Sequence, residues 1–79
     1  MTQSVVHSKP ESVGQRIKAA RSAARLSTTK LARELDVDPR TVARWQADET
    51  MPSVVRLTEI ARVLGKSPGY FLDGEEVAA

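Results

Sequence analysis

Residues 26–45 read LSTTKLARELDVDPRTVARW, and the signals packed into this stretch decide the fold. Ser27 is a residue type that accepts a hydrogen bond from the first backbone N–H groups of a helix. Leu31, Ala32 and Leu35 follow at helical spacing, which predicts a helix over 28–35. Asp36 is among the few non-glycine types that tolerate the left-handed conformation needed to reverse a chain in so few residues. Pro39 cannot continue a helix interior, having no N–H, but it fits the first position of a new helix, and Asp38 before it is a good N-cap. A second helix is therefore expected over about 39–47, with Val37 as an apolar plug in the turn and Val42 and Trp45 as the buried face. Helices joined by so short a turn cross steeply, so a small residue is needed where they approach, and Ala32 occupies that point. Arg40, Thr41 and Arg44 are left outward, with Pro39 at the tip. Arg40 and Arg44 lie one turn apart on one face, and arginine can pair bidentately with the O6 and N7 edge of guanine in a major groove that admits a helix.

Working outward, the segment before this pair places Val13, Ile17, Ala20 and Ala24 on one helical face, and Ser12 to Gln15 forms an S-x-x-Q capping box. This first helix is expected to run to about Arg25, with Arg16, Lys18, Arg21 and Arg25 on its other faces. After the pair, a polar loop over 47–52 closes on a proline. Ser53 then caps a fourth helix carrying Leu57, Ile60, Ala61 and Leu64, and Gly65 ends it. Ser67 and Pro68 open a last short helix with Tyr70, Phe71 and Leu72, which Asp73 and Gly74 stop. No segment alternates with the period of a strand. The expected organisation is a flexible arm over 1–11, one all-α domain of five helices over 12–73, and an acidic tail over 74–79.

Composition narrows the function. The 79 residues include no Cys and one His, so neither a disulfide scaffold nor a Cys-based or multi-His metal site can be assembled. A chain this short buries only about 60% of its unfolded surface and cannot wall off a deep cleft. No enzyme, metal or cofactor is expected. Gly65-Lys66-Ser67 matches the end of a phosphate-binding loop, but Ile60 stands where that loop needs its first Gly. No run approaches a membrane span, and the N-terminus lacks the basic-then-apolar order of a secretory signal, so a cytoplasmic protein of a bacterium or phage-infected cell is expected. The net charge of +2 hides a division. Residues 16–44 hold eight basic against three acidic residues, a net +5, and residues 45–79 hold three against six, a net −3. Such polarity suggests a half that faces a polyanion.

At these residues the chain resembles the lambda-repressor-like helix-turn-helix family of phage repressors and bacterial regulators. The resemblance runs from Val13 to Leu72 through VGQRIKAAR, the central stretch quoted above, TMPS, LTEIARVLG and SPGYFL, in order and at matching spacing. It implies a five-helix lambda-repressor-like fold whose third helix reads base edges through Pro39, Arg40, Thr41 and Arg44. Candidate phosphate contacts are Arg16, Arg21, Arg25, Ser27, Thr28 and Thr29; Thr28 stands where relatives usually have a phosphate-clasping Gln. Arg21 matches an arginine that pairs with a Glu at the end of the third helix. That Glu is Gln46 here, which is expected to loosen Arg21 and free it toward phosphate. Ala47-Asp48-Glu49 replaces a loop that carries basic groups in relatives, so its acidic residues are expected to repel the DNA backbone. Lys18 and Arg33 read as ordinary surface charges.

The function expected is a sequence-specific, double-stranded-DNA-binding regulator, a phage-type repressor or Cro-like protein. Its operator would be a (pseudo)palindrome and its state a homodimer formed through the last helix. The alternatives are an antitoxin or adaptor that binds a partner protein through its acidic half, with DNA binding secondary, and a fragment of a longer regulator.

Overall fold

The computed structural model describes residues 12–73. Among these residues there are five helices and no strand: α1 Val13–Ala23, α2 Thr28–Leu35, α3 Pro39–Gln46, α4 Val54–Leu64 and α5 Pro68–Asp73. The arm over 1–11, His7 within it, and the tail over 74–79 lie outside the described residues.

Local signals start and stop these helices. Ser12 accepts from the Gln15 N–H at 3.0 Å while the Gln15 side chain accepts from the Ser12 N–H at 3.1 Å, completing the capping box. Ser27, Asp38 and Ser53 cap α2, α3 and α4 through the N–H groups of Lys30, Arg40 and Arg56. Asp36 closes α2 at φ 59° and Gly65 closes α4 at φ 71°, both left-handed. The first helix stops two residues earlier than expected. Arg25 adopts φ 62°, and the N–H groups of Arg25 and Leu26 return to the carbonyls of Ser22 and Arg21 at 3.0 and 3.1 Å. This leaves Ala24 at the helix end and exposed, not on the buried face that its spacing suggested.

The core forms where all five helices converge. Ile17, Leu31, Ala32, Val42, Ile60 and Phe71 are fully buried, and Trp45 is 5% exposed. Val37 packs against this core from the turn between α2 and α3, and Val13, Val63 and Tyr70 pack against its edge. Deep burial of Val42 and Trp45 fixes the rotation of α3 about its axis, and so commits Arg40, Ala43 and Arg44 to solvent. The Arg56 guanidinium on α4 donates to the Leu35 carbonyl at 3.0 Å and pairs with Glu59 at 2.8 Å, tying α4 to the open end of α2.

Two departures from the sequence reading concern the molecular surface. Phe71 is wholly buried and the last helix exposes only Leu72 among its large apolar residues, so it is a poor docking face. The exposed large apolar residues are instead mostly Met51, Val54 and Val55, in the loop after α3 and at the start of α4. Among the described residues no helix is long and apolar enough to cross a membrane.

Candidate nucleic-acid interface

The outward face of α3 is built by the cap at its start. The Asp38 carboxylate accepts the Arg40 N–H at 2.8 Å and, more loosely, Arg40 Nε at 3.4 Å. The backbone N–H and guanidinium of Arg40 hold the Asp38 carboxyl below the usual carboxylate range. Arg40 is 81% exposed at its side chain, so this pair is weak and leaves the guanidinium mobile enough to reach elsewhere. Arg44 is exposed, and among the described residues its side chain makes no hydrogen bond or salt bridge. Thr41 is half-buried at the edge of this face, and Pro39 sits exposed at its tip.

Two open grooves flank α3. At its start, a groove of about 260 Å³ is lined by Thr29, Arg33, Val37 and Pro39. At its end, a groove of about 310 Å³ is lined by Lys18, Arg21, Thr28, Ala43, Gln46 and Ala47. The structure therefore brings Arg21, Thr28 and Thr29 alongside the helix that begins at Pro39 and carries Arg40 and Arg44 on its exposed face. It also places Lys18 and Arg33 in these grooves, where the sequence reads them as ordinary surface charges. Their signal is present in the spacing: Lys18 precedes Arg21 by three residues and Arg33 follows Thr29 by four, so each shares a helical face with a candidate phosphate contact.

Three expected roles are revised by packing. Arg16 does not face outward: its guanidinium donates to the Phe71 carbonyl at 3.2 Å, and its Nε is buried without a partner. It ties α1 to α5. Arg21 is not freed by the change from Glu to Gln. Its Nε donates to Gln46 Oε1 at 2.8 Å and its Nη1 to the Leu26 carbonyl at 2.6 Å, while the Gln46 amide N–H donates to Thr28 Oγ1 at 3.1 Å. One amide thus links α1, α2 and α3. Asp48 is not a free acidic group of the loop. It takes a left-handed φ of 61° and turns its carboxylate onto the start of α1, accepting from Ser12 Oγ at 2.5 Å and from the Gly14 N–H at 2.9 Å. A carboxylate is favoured at that end of a helix dipole. Glu49 beside it, also exposed, is the acidic residue of this loop whose side chain is not turned onto α1.

Gly14 is the residue that makes this join feasible. A Cβ there would lie 2.3 Å from the Trp45 carbonyl oxygen and 2.7 Å from both the Gln46 carbonyl oxygen and Asp48 Oδ1. The start of α1 lies directly on the end of α3, and only a residue without a side chain fits between them.

The model of the family described as Helix-turn-helix matches residues 17–71 of this chain. The chain belongs to the lambda-repressor-like helix-turn-helix family. Within it, the P22 c2 repressor bound to a synthetic operator superimposes with a TM-score of 0.78 at 28% identity, over 82% of this chain and 98% of that one. SinR, a protein of Bacillus subtilis, has been solved in complex with DNA and matches with a TM-score of 0.73 at 29% identity, over 77% of this chain and 98% of that one. HppE, solved with Fe(II) and substrate, matches with a TM-score of 0.71 at 30% identity, over 78% of this chain and 36% of that one. Among the described residues of the present chain, no group of three or more His, Cys, Asp or Glu could hold a metal. A search of curated proteins finds no match to this sequence.

Proposed function

We propose that this helix-turn-helix chain is a sequence-specific, double-stranded-DNA-binding transcriptional regulator of the phage-repressor or Cro type, which lays α3 in the major groove. The observation that carries the reading is the pair Arg40 and Arg44, one turn apart on the solvent face of a helix whose opposite face is locked into the core by Val42 and Trp45. The likeness to the operator-bound P22 c2 repressor and DNA-bound SinR supports it. Pro39, Arg40, Thr41 and Arg44 read base edges. Arg25, Ser27, Thr28 and Thr29, with the remaining N–H groups of Arg21, meet phosphates, joined by Lys18 and Arg33. Arg16 is left out of this set because it is spent on α5.

Most affinity then comes from phosphate neutralisation and falls with salt, while selectivity comes from α3. No catalytic step is assigned to the chain. Its place of action is the compartment that holds the DNA, the cytoplasm of a bacterium or phage-infected cell. The operator is a (pseudo)palindrome met by two copies. The antitoxin or adaptor alternative is not favoured, since it gives no role to the two basic grooves flanking α3.

Selection of bound sites from a random duplex pool at two salt concentrations tests the reading: one enriched motif is expected. On that motif Arg44→Ala should cost about 1 to 3 kcal/mol and relax preference at one base pair. Equal losses on the selected and on random duplexes would refute base reading by α3.

A further inference from the structure

Gln46 does more than replace a glutamate. Arginine offers only donors, so the side of the Gln46 amide that faces Arg21 Nε at 2.8 Å must be the carbonyl oxygen. The amide N–H groups are therefore turned to Thr28, whose hydroxyl oxygen accepts at 3.1 Å. A hydroxyl that accepts from one side has its own proton to place elsewhere, and among the described residues no acceptor takes it. Thr28 lines the groove of about 310 Å³ that it shares with Lys18 and Arg21, so the open space within reach of its hydroxyl is a basic one.

From this geometry we infer that Gln46 is a positioning residue which holds the Thr28 hydroxyl as an outward donor to a DNA phosphate seated between Lys18 and Arg21; the inference rests on the DNA-binding reading above. The polarity of one side chain sets that of the next. A carboxylate at position 46 could accept from Arg21 and also from Thr28, drawing the hydroxyl proton inward and away from phosphate. The amide cannot accept from Thr28 without turning its N–H groups on Arg21, where like donors would oppose each other. Gln46 thus gives up the stronger charge-assisted bond to Arg21 and imposes the donor direction on Thr28. A short hydroxyl at the start of α2 can then do the work of a longer amide side chain.

The test is a double-mutant cycle of Thr28→Val and Gln46→Glu, with binding to the tightest duplex from the selection followed by fluorescence anisotropy and folding checked by thermal melts. Thr28→Val should weaken binding about tenfold, the scale of one hydrogen bond to a charged group, and Thr28→Ser should bind as the unaltered protein does. Gln46→Glu should weaken binding several-fold more in the Thr28 protein than in the Thr28→Val protein, where its charge acts but no hydroxyl is left to turn. Methylphosphonates placed singly along the duplex give a second readout. One position should penalise the unaltered protein more than either variant, the remaining penalty being that of Lys18 and Arg21. Equal losses from Gln46→Glu in both backgrounds, or penalties at every position as large in both variants as in the unaltered protein, would overturn the inference while leaving DNA binding intact. Failure of the unaltered protein to enrich any duplex would overturn the DNA-binding reading, and this inference with it.

Discussion

Gly14 and Arg25 show how far single backbone positions constrain this molecule. Gly14 sits where a methyl group would strike two carbonyl oxygens of the α3 end, and those atoms belong to backbone that cannot rotate away. Gly14→Ala should therefore destabilise the fold by about 1 to 3 kcal/mol in spite of alanine's better helix propensity. Urea unfolding would read this as a lower midpoint at an unchanged slope, and a midpoint that rises would refute the close approach. Arg25 is the opposite case, a side-chain-bearing residue held at φ 62°. Arg25→Gly should stabilise the fold by up to about 1 kcal/mol by removing left-handed strain, while weakening DNA binding through the lost charge. The two effects have opposite signs, so parallel denaturation and binding measurements separate them. Arg25 and its unusual turn were approachable from sequence, because the end of a helix is a local event. The demand on Gly14 was not, since it comes from atoms more than thirty residues further along the chain.

The first four helices are each begun by a short polar side chain, and these caps tie element stability to solution conditions. Asp38 is the clearest instance, because its carboxyl is held below the ordinary range by the Arg40 N–H and guanidinium at the start of α3. A group whose affinity for protons is lower in the folded state stabilises that state above its ordinary pKa, and the benefit disappears as pH falls through the lowered value. Asp38→Ala should lower the melting temperature at pH 7, and the gap to the unaltered protein should narrow as pH drops below about 4. A gap that persists undiminished at pH 2 would mean the side chain acts other than as an ionised cap. The caps by Ser12, Ser27, Asp38 and Ser53 were all legible in the sequence, since each joins residues two or three apart. The tie from Arg56 to the Leu35 carbonyl was not, because nothing near either residue announces the other.

At the level of the whole molecule, charge and apolar surface are separated. The basic residues beside α3 open onto two grooves, whereas Met51, Val54 and Val55 are 64%, 78% and 67% exposed just beyond the end of α3. A second copy joined at this patch would set two α3 helices near one another, as a palindromic site requires. Val55→Glu should leave the melting temperature nearly unchanged, because the side chain is exposed, and should abolish the advantage of a full palindromic duplex over a half-site. Titration of both duplexes checks this. Retention of the full-site advantage would rule out this patch as a contact between copies and turn attention to the exposed Leu72 of α5.

The sequence by itself determined five helices, the tight turn at Asp36 to Pro39, the inward Val42 and Trp45, and hence the outward Arg40 and Arg44. Helical period, capping and the limits on proline act within a few residues, so they are written in contiguous stretches. Only the tertiary structure decided how the remaining polar groups are spent. Arg16 turns to a carbonyl on α5, Asp48 seats the start of α1, and the Gln46 amide joins Arg21 to Thr28. A long polar side chain can serve solvent, a neighbouring helix or a ligand at similar energy. The choice among them falls to packing, which brings together residues 18 to 55 positions apart, from Thr28 with Gln46 to Arg16 with Phe71.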